Sequence, residues 1–210
     1  TATDADTSDT VTFSISGAEL AITSAGVLTF ASAPDYETST SYSATVTATD
    51  GTNTTTQDVN VSVTNLNDNS PVVTSSATFS VAENQTDVGI VSASDADGDA
   101  IIYSIGGTDV ASISINSSSG VLTFTSVPDY ESKTTYSITA TASDGVSSSN
   151  QSITINISDV NEYSPVFTSA ASFSAAENQT SIGSVTATDA DTSDTVTFSI
   201  SGAELAITSA

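Results

Sequence analysis

The sequence predicts an all-β chain of tandem, seven-stranded Greek-key sandwiches of the immunoglobulin-like type, arranged end to end. Short stretches in which apolar residues alternate with serine or threonine indicate half-buried strands. Seven such stretches, bounded by turn residues, fall within a repeat of 94 residues, a density typical of a β-sandwich. No stretch has a convincing apolar period of about 3.6 residues, so α-helices are not expected.

The strands of the complete repeat follow one another at short intervals. Serine and threonine fill most of their outward positions, where hydroxyl side chains suit a solvated sheet face. The repeat lacks the Cys…Trp…Cys pattern of antibody domains, so a domain of that type is not expected. The predicted strands are residues 78–81, 88–93, 101–105, 113–115, 120–124, 136–142 and 153–157.

The chain repeats itself at two distances. Residues 1–25 recur without a change as residues 186–210, and Pro34–Glu37 returns as Pro128–Glu131, 94 residues on. We therefore expect a window on a longer tandem array. Its predicted segments are a repeat without its first strands at 1–71, a complete repeat at 72–165, and the N-terminal half of a third at 166–210.

The charge of the chain is strongly one-sided. The chain has 25 acidic residues and a single basic residue, Lys133, which gives a formal net charge of −24. Phosphate groups could not be neutralised, so nucleic acid is excluded as a partner, and direct binding to an anionic membrane surface is not expected. The acids instead indicate divalent cations, a salt-rich environment, or solubility alone.

Several kinds of chemistry are excluded by composition. Cysteine and histidine are absent, which rules out disulfides, zinc sites and thiol or imidazole catalysis. There is no run of about 18 apolar residues, so insertion into a membrane is not expected. Carboxylate pairs can catalyse glycoside hydrolysis, but here they recur in each repeat without a pocket-forming insertion. We therefore expect no enzymatic activity.

The acidic residues collect at the predicted strand ends and in the connectors between repeats. Asp95 and Asp97 are two residues apart in a turn, so their oxygens can converge on one point. Calcium takes about six to eight oxygen ligands, which makes this spacing suited to it. Turn chemistry and solubility are the competing interpretations. They are favoured for Asp58, Asp99 and Asp109, and Asp194 is expected to be solvated.

Five short motifs, in this order, resemble the calcium-binding motifs of the cadherin repeat family, in the form found in giant bacterial or archaeal surface proteins. The family has a glutamate after the first strand, a D-x-D turn, an acidic triplet, a late aspartate before glycine, and a D-x-N-D-N connector. The resemblance covers the whole chain. The matching segments are Ala82–Asn84, Asp95–Asp97, Asp129–Glu131, Ala142–Gly145 and Asp159–Tyr163.

This resemblance implies two or three calcium ions at each junction between repeats. The second junction would use Glu83, Asp129, Glu131, Asp159, Asn161 and Glu162 from one repeat, with Asp189 and Asp191 from the next. The first junction would use Asp35, Glu37, Asn67, Asp68, Asp95, Asp97 and Asp144.

The connectors depart from the family pattern at three positions. Asn65 stands in place of the first aspartate, which removes one charged ligand from the first junction. Glu162 replaces an aspartate and Tyr163 the final asparagine of the second connector. Since that asparagine usually offers its backbone carbonyl, Tyr163 is expected to cost little. The resemblance thus implies three ions at the second junction and two or three at the first.

The predicted function is that of an extracellular extender, stiffened by calcium, in a long surface adhesin or filament. Its partners would be neighbouring repeats of the same array, with lateral copies in a filament as a further partner. The chain has no tryptophan, so adhesion through a tryptophan-anchored strand swap is not expected. The alternative is a secreted β-sandwich module that binds carbohydrate or another surface through its threonine-rich faces.

Overall fold

The computed structural model describes residues 2–6, 8–202 and 204–208. These residues form sixteen short β-strands and one 3₁₀ turn, Val110–Ser112, and contain no α-helix, which confirms the predicted all-β class. The chain divides into two units: the first runs to Ser70 and includes Asp95–Ala100, and the second comprises Pro71–Ser94 and the chain from Ile101 onward. The predicted outer limits at residues 1 and 210 lie outside the described residues, and the division into three repeats stays a prediction.

The first unit contains two sheets. One has the order β1-β4-β5 and is antiparallel throughout, and the other pairs β2 with β3. Tyr42 of β4 lies opposite Val61 of β5, and its ring meets Phe30 edge-on with centroids 5.4 Å apart. The strands are β1 (Thr12–Ile15), β2 (Leu20–Ile22), β3 (Leu28–Phe30), β4 (Ser41–Thr49) and β5 (Thr54–Ser62).

The second unit contains the complete sandwich. A four-stranded sheet has the order β10-β13-β14-β7 and a three-stranded sheet the order β11-β12-β8, while β6 pairs with β9 and β15 with β16. The strands are β6 (Val72–Val73), β7 (Thr78–Ala82), β8 (Asp87–Ile90), β9 (Ala93–Ser94), β10 (Ile102–Gly106), β11 (Ile113–Ile115), β12 (Val121–Phe124), β13 (Thr135–Ser143), β14 (Ser148–Ser158), β15 (Val166–Phe167) and β16 (Ala187–Thr188).

The core of this sandwich is drawn from both sheets. Ile153 and Ile155 of β14 and Leu122 of β12 are fully buried. Because side chains of a strand point alternately to its two faces, every second residue of β13 from Tyr136 to Ala142 is also buried. The apolar alternation seen in the sequence is therefore the inward face of the strands, and the acids are left to the strand ends.

The polar first half of β14 was not predicted. β14 begins at Ser148, five residues before the predicted start at Ile153. Its first residues are all polar, so they carry no apolar alternation, yet each pairs with β13 along a continuous antiparallel register from Ser143↔Ser148 onward. Backbone pairing with a well-anchored neighbour overrides the missing side-chain signal.

Two lone aspartates behave differently from expectation. Asp58 lies within β5 instead of a turn, and its Oδ1 accepts a hydrogen bond from Thr45 Oγ1 at 2.7 Å. Asp109 does lie in a turn, but it also forms an ion pair with Lys133 and accepts a hydrogen bond from the Ser137 amide at 2.7 Å. The turn prediction was therefore wrong for Asp58 and incomplete for Asp109.

The sheet topology explains where the acids gather. β7 runs parallel to β14, with Ser158 opposite Ala82. Both strands therefore finish at the same end of the four-stranded sheet. The residues that follow them, Glu83 and Asp159, lie side by side there. The position of these carboxylates is thus set by strand pairing and not by local turn preference.

Candidate metal centre

Glu83 is the structural anchor of the acidic residues in the second unit. Its side chain is only 3% exposed. Its Oε2 accepts a hydrogen bond from the Tyr130 amide at 2.6 Å, and its Oε1 accepts one from the Val160 amide at 2.8 Å. These bonds tie the end of β7 to the loop after β12 and to the segment after β14. Glu83 therefore fixes the relative positions of the loops that carry the other carboxylates.

Three of the predicted ligands meet around this anchor. Oxygens of Glu83, Glu131 and Asp159 all lie within 4.8 Å of one another. Asp129 stands beside them in a tight loop, where its Oδ1 and Oδ2 accept hydrogen bonds from the amide and hydroxyl of Ser132 at 3.2 and 2.8 Å. These residues, with Glu162 and Asp191, form what we call the second acidic cluster.

Asp191 is the most deeply buried member of this cluster, with 0% exposure. Its Oδ2 accepts hydrogen bonds from the amides of Glu162 and Tyr163 at 3.0 and 2.8 Å. Asp189 supports it from the same turn, since Asp189 Oδ1 accepts a hydrogen bond from the Asp191 amide at 3.2 Å. Backbone donors thus hold one carboxylate oxygen of Asp191 and leave the other to a different partner.

Corresponding residues of the first unit form a first acidic cluster, defined here as Asp35, Glu37, Asp68, Asp95 and Asp97. Oxygens of Glu37, Asp68 and Asp97 lie within 4.8 Å of one another, and so do those of Asp95, Asp97 and Asp99. Asp97 is shared by both groups and is 9% exposed. Asp35 shapes its own turn by accepting hydrogen bonds from the Glu37 amide and the Thr38 hydroxyl at 3.1 and 2.7 Å.

Among the described residues of these regions, four buried oxygens have no hydrogen-bond partner. They are Asp159 Oδ1, Asp191 Oδ1, Asp95 Oδ2 and Asn67 Oδ1. A buried acceptor without a partner is costly, and the cost is greater for a carboxylate among other carboxylates. A hard divalent cation would satisfy all of them, since calcium is bound by carboxylate, amide and backbone oxygens. The residues present therefore fit calcium.

Burial and, after it, the neighbouring carboxyl groups raise the pKa values of three glutamates. Partial burial and the carboxylates of Glu83, Asp159 and Asp191 raise the pKa of Glu131. Burial, followed by Glu83, Asp191 and Asp129, does the same for the pKa of Glu162. In the first cluster, burial and the neighbouring Asp35 and Asp97 raise the pKa of Glu37.

Several aspartates shift in the opposite direction because donors surround them. The Asn69 side chain, and then the Asn69 and Asp68 amides, lower the pKa of Asp97. Ser132 lowers the pKa of Asp129, and Thr38 lowers that of Asp35. Each cluster therefore combines aspartates held in the ionised form with glutamates that resist ionisation.

These opposed shifts predict a pH optimum for the metal-free protein. Between the ordinary glutamate pKa of 4.5 and the raised pKa values, the folded state keeps protons on Glu131, Glu162 and Glu37 that the unfolded chain has released. Stability must then fall as pH rises through this window. The lowered aspartate pKa values remove stability on the acid side. Urea unfolding of metal-stripped protein from about pH 5 to about pH 7 tests this, and a steady gain in stability with pH would contradict it.

Asp144 belongs to a different unit from the acids with which it was grouped. It is part of the second unit, whereas the other predicted ligands of the first junction are part of the first. Its oxygens accept hydrogen bonds from the Val146 amide and from the amide and hydroxyl of Ser147 at 2.7–2.8 Å, which closes the β13–β14 turn. A role in metal binding for Asp144 stays a prediction.

The structure gives three residues partners that sequence reasoning did not assign to them. Asn84, in the left-handed conformation with φ 64°, donates a hydrogen bond to Glu162. Asp194, expected to be solvated, accepts one from Asn161, and Asp99 joins Asp95 and Asp97. A signal was available for Asn84, because the segment Glu83–Thr86 recurs as Glu177–Thr180, 94 residues on, and Asn178 adopts the same conformation.

Comparison with known proteins agrees with this arrangement. Residues 77–158, which run from the start of β7 to the end of β14, match the family model of the cadherin domain. This segment is similar to cadherin domains. The carboxylates of Glu83 and Asp159 therefore lie at the end of its first and last matched strands.

Relatives of the cadherin domain extend the match to more of the chain. Cadherin-99C of Drosophila melanogaster is 36% identical over 117 residues, 52% of this chain, and protocadherin Fat 4 of Mus musculus is 35% identical over 150 residues, 65% of it. The chain spans 7% and 3% of the lengths of these relatives.

A solved structure agrees with the fold. The protocadherin gammaB7 EC3-6 cis-dimer has a TM-score of 0.74 and 27% identity, over 86% of this chain and 51% of that one. The cadherin relatives are extracellular or cell-surface proteins, which confirms the predicted location. In the described part of the chain, none of the helical residues form a segment with the length and hydrophobicity needed to cross a membrane.

Proposed function

We propose that this chain is a calcium-stiffened structural segment of a long surface adhesin or filament of the bacterial or archaeal kind. The observation that carries the proposal is the pair of buried, unpartnered oxygens Asp159 Oδ1 and Asp191 Oδ1 in the second acidic cluster. The bacterial or archaeal assignment is supported by the scarcity of basic residues and by the exact recurrence of residues 1–25 as 186–210.

The proposed ligands are those that the family resemblance implies, and the ion count is two or three in each cluster. Bound calcium would supply positive charge and bonds to oxygen. The protein would supply the rest: Glu83 fixes the loops, and the amides of Glu162 and Tyr163 orient Asp191. Loading would then hold the segment after β14 and the turn at Asp189–Asp191 in one arrangement, because both contribute to the same cluster.

This role is structural and calls for no bond-making chemistry. We propose three repeats, at 1–71, 72–165 and 166–210, whose neighbours in the array are the principal partners. Lateral copies in a filament are a further partner, and the likeness to a cis-dimer of protocadherin domains is consistent with that. Extracellular calcium modules bind with a Kd of about 10⁻⁴–10⁻³ M, so such repeats would be loaded outside cells.

Hydrogen exchange tests the proposed function directly. Calcium is expected to slow exchange at the amides of Glu162 and Tyr163, which donate to Asp191, while magnesium at equal ionic strength has a much smaller effect, since it dehydrates reluctantly and demands stricter geometry. Asp191→Asn should abolish the slowing. Equal exchange rates with and without calcium at these amides would refute calcium stiffening.

A further inference from the structure

The residue that follows Glu83 joins the same two segments of the chain a second time. The backbone amide of Asn84 donates a hydrogen bond to the carbonyl of Pro128 at 3.1 Å, in the loop after β12 that carries Asp129. The side-chain amide of Asn84 donates to the carboxylate of Glu162, in the segment after β14. Two successive residues at the end of β7 therefore connect the loop after β12 to the segment after β14.

The backbone conformation of Asn84 explains how two neighbouring side chains reach one segment. In an extended strand, successive side chains point to opposite faces, so a residue that continued β7 would direct its side chain away from the segment that Glu83 contacts. Asn84 instead has φ 64°, in the left-handed region, and the chain turns there. Glu83 meets the amide of Val160, and Asn84 meets the side chain of Glu162, two residues further on.

Few residue types meet both requirements of this position. Glycine adopts the left-handed conformation freely, and asparagine and aspartate are the other residues that tolerate it. Glycine has no side chain with which to donate. Aspartate would place a further carboxylate against Glu162, on which the charges of Asp129 and Asp191 already act. Of the three, only asparagine combines the conformation with a neutral donor.

The hydrogen bond from Asn84 orders Glu162 before any cation arrives. A free glutamate side chain has many rotamers, and ordering it on binding costs free energy. The cost rises when the carboxylate must approach the like charges of Asp129 and Asp191. A carboxylate has two oxygens and several acceptor sites, so Glu162 can accept the bond from Asn84 and still bind a cation.

We propose that Asn84 is a positioning residue of the second acidic cluster, whose side-chain amide holds the carboxylate of Glu162 in place for a divalent cation. This inference rests on the proposed calcium function and adds to it a residue that is not itself a ligand. Partners that hold a metal ligand from outside change metal affinity by about 10–100-fold. Because Asn84 is exposed, the expected loss without its amide is at the lower end, about tenfold.

Hydrogen exchange at the amides of Glu162 and Tyr163, followed through a calcium titration of the whole chain, reports this cluster specifically. Asn84→Gly keeps the left-handed conformation and removes the donor, so it should raise the calcium concentration at half-effect about tenfold. Asn178→Gly is the matched control. It makes the same change at a residue with the same φ of 64° outside the cluster, and should leave the half-effect unchanged.

A double-mutant cycle tests whether Asn84 acts through Glu162. In a Glu162→Ala background the carboxylate that the amide holds is gone, so adding Asn84→Gly should weaken calcium binding by less than about twofold. Circular dichroism shows that each variant is folded. An equal loss in both backgrounds would mean that Asn84 acts by another route, and would overturn the inference.

The remaining outcomes separate this inference from the function beneath it. An unchanged half-effect in Asn84→Gly shows that the residue only shapes its turn, and overturns the positioning role while calcium binding survives. Equal weakening by Asn178→Gly overturns it as well, because the effect would then not depend on the contact with Glu162. Exchange in the unsubstituted chain that does not respond to calcium contradicts the proposed function.

Discussion

Replacing Glu83 with alanine is expected to lower the free energy of unfolding by about 3 kcal/mol. The substitution removes the buried carboxylate that accepts hydrogen bonds from the amides of Tyr130 and Val160 at 2.6 and 2.8 Å. Each unsatisfied donor costs about 1–3 kcal/mol. Losing one negative charge from a crowded cluster offsets part of this cost in metal-free buffer, so the loss should be larger with calcium present.

Urea unfolding with and without calcium measures this loss. Glu19→Ala is the matched control, because it removes the same charge from an exposed position of the first unit. The control should change stability by less than about 0.5 kcal/mol. A Glu83→Ala variant as stable as the control would show that Glu83 does not hold the loops together.

Gly120→Ala is the second substitution with a large expected effect, a loss of about 3 kcal/mol or more. Gly120 precedes β12 with φ +70°, and a Cβ there would lie 2.1 Å from the carbonyl oxygen of Val91. The obstacle is backbone, and it cannot move away cheaply, because the Val91 amide donates to the Gly120 carbonyl at 2.9 Å. The strain would reach the core, since Val91 is buried.

A substitution at a second glycine separates the energetic cost of the clash from the cost of the backbone conformation. Gly145 has φ +93°, and a Cβ added to it would have nothing within 4 Å, so alanine there meets only conformational strain. Gly145→Ala should cost about 1 kcal/mol. Equal losses for the two variants in urea unfolding would mean that the approach of Val91 is unimportant.

Much of the fold could be predicted because side-chain alternation and burial coincide. β13 was predicted nearly to its ends, since its inward residues from Tyr136 to Ala142 are apolar and its outward ones are hydroxylic. β14 was predicted only from Ile153, because its polar first half is held by backbone pairing that no side-chain pattern reports. The existence of β13 and β14 followed from the sequence, and their length depended on the neighbour. The prediction of one strand at 88–93 was wrong, because these residues are divided between β8 and β9 in different sheets, and β6 (Val72–Val73) was not predicted.

The sequence predicts which residues belong to the acidic clusters better than it predicts the hydrogen bonds that their oxygens accept. The resemblance to the cadherin repeat family grouped Glu83, Glu131 and Asp159, whose oxygens do converge. The sequence does not show which of these oxygens already accept a hydrogen bond. For Asp97, that depends on the side chain at position 69, which lies in the connector, 28 residues before the aspartate it affects. The small cost expected for Tyr163 stays a prediction.

The measurement that tests calcium binding most directly is thermal and urea unfolding of the chain in calcium and in chelator. At about 10 mM calcium, a site with a Kd of about 10⁻⁴–10⁻³ M stabilises the folded state by about 1.4–2.7 kcal/mol per ion, which corresponds to a rise in Tm of several degrees. Asp191→Asn, which changes the residue whose Oδ1 is buried and unpartnered, should lose most of that rise. The same Tm and the same urea midpoint in calcium and in chelator would contradict the calcium-bound structure proposed for these clusters.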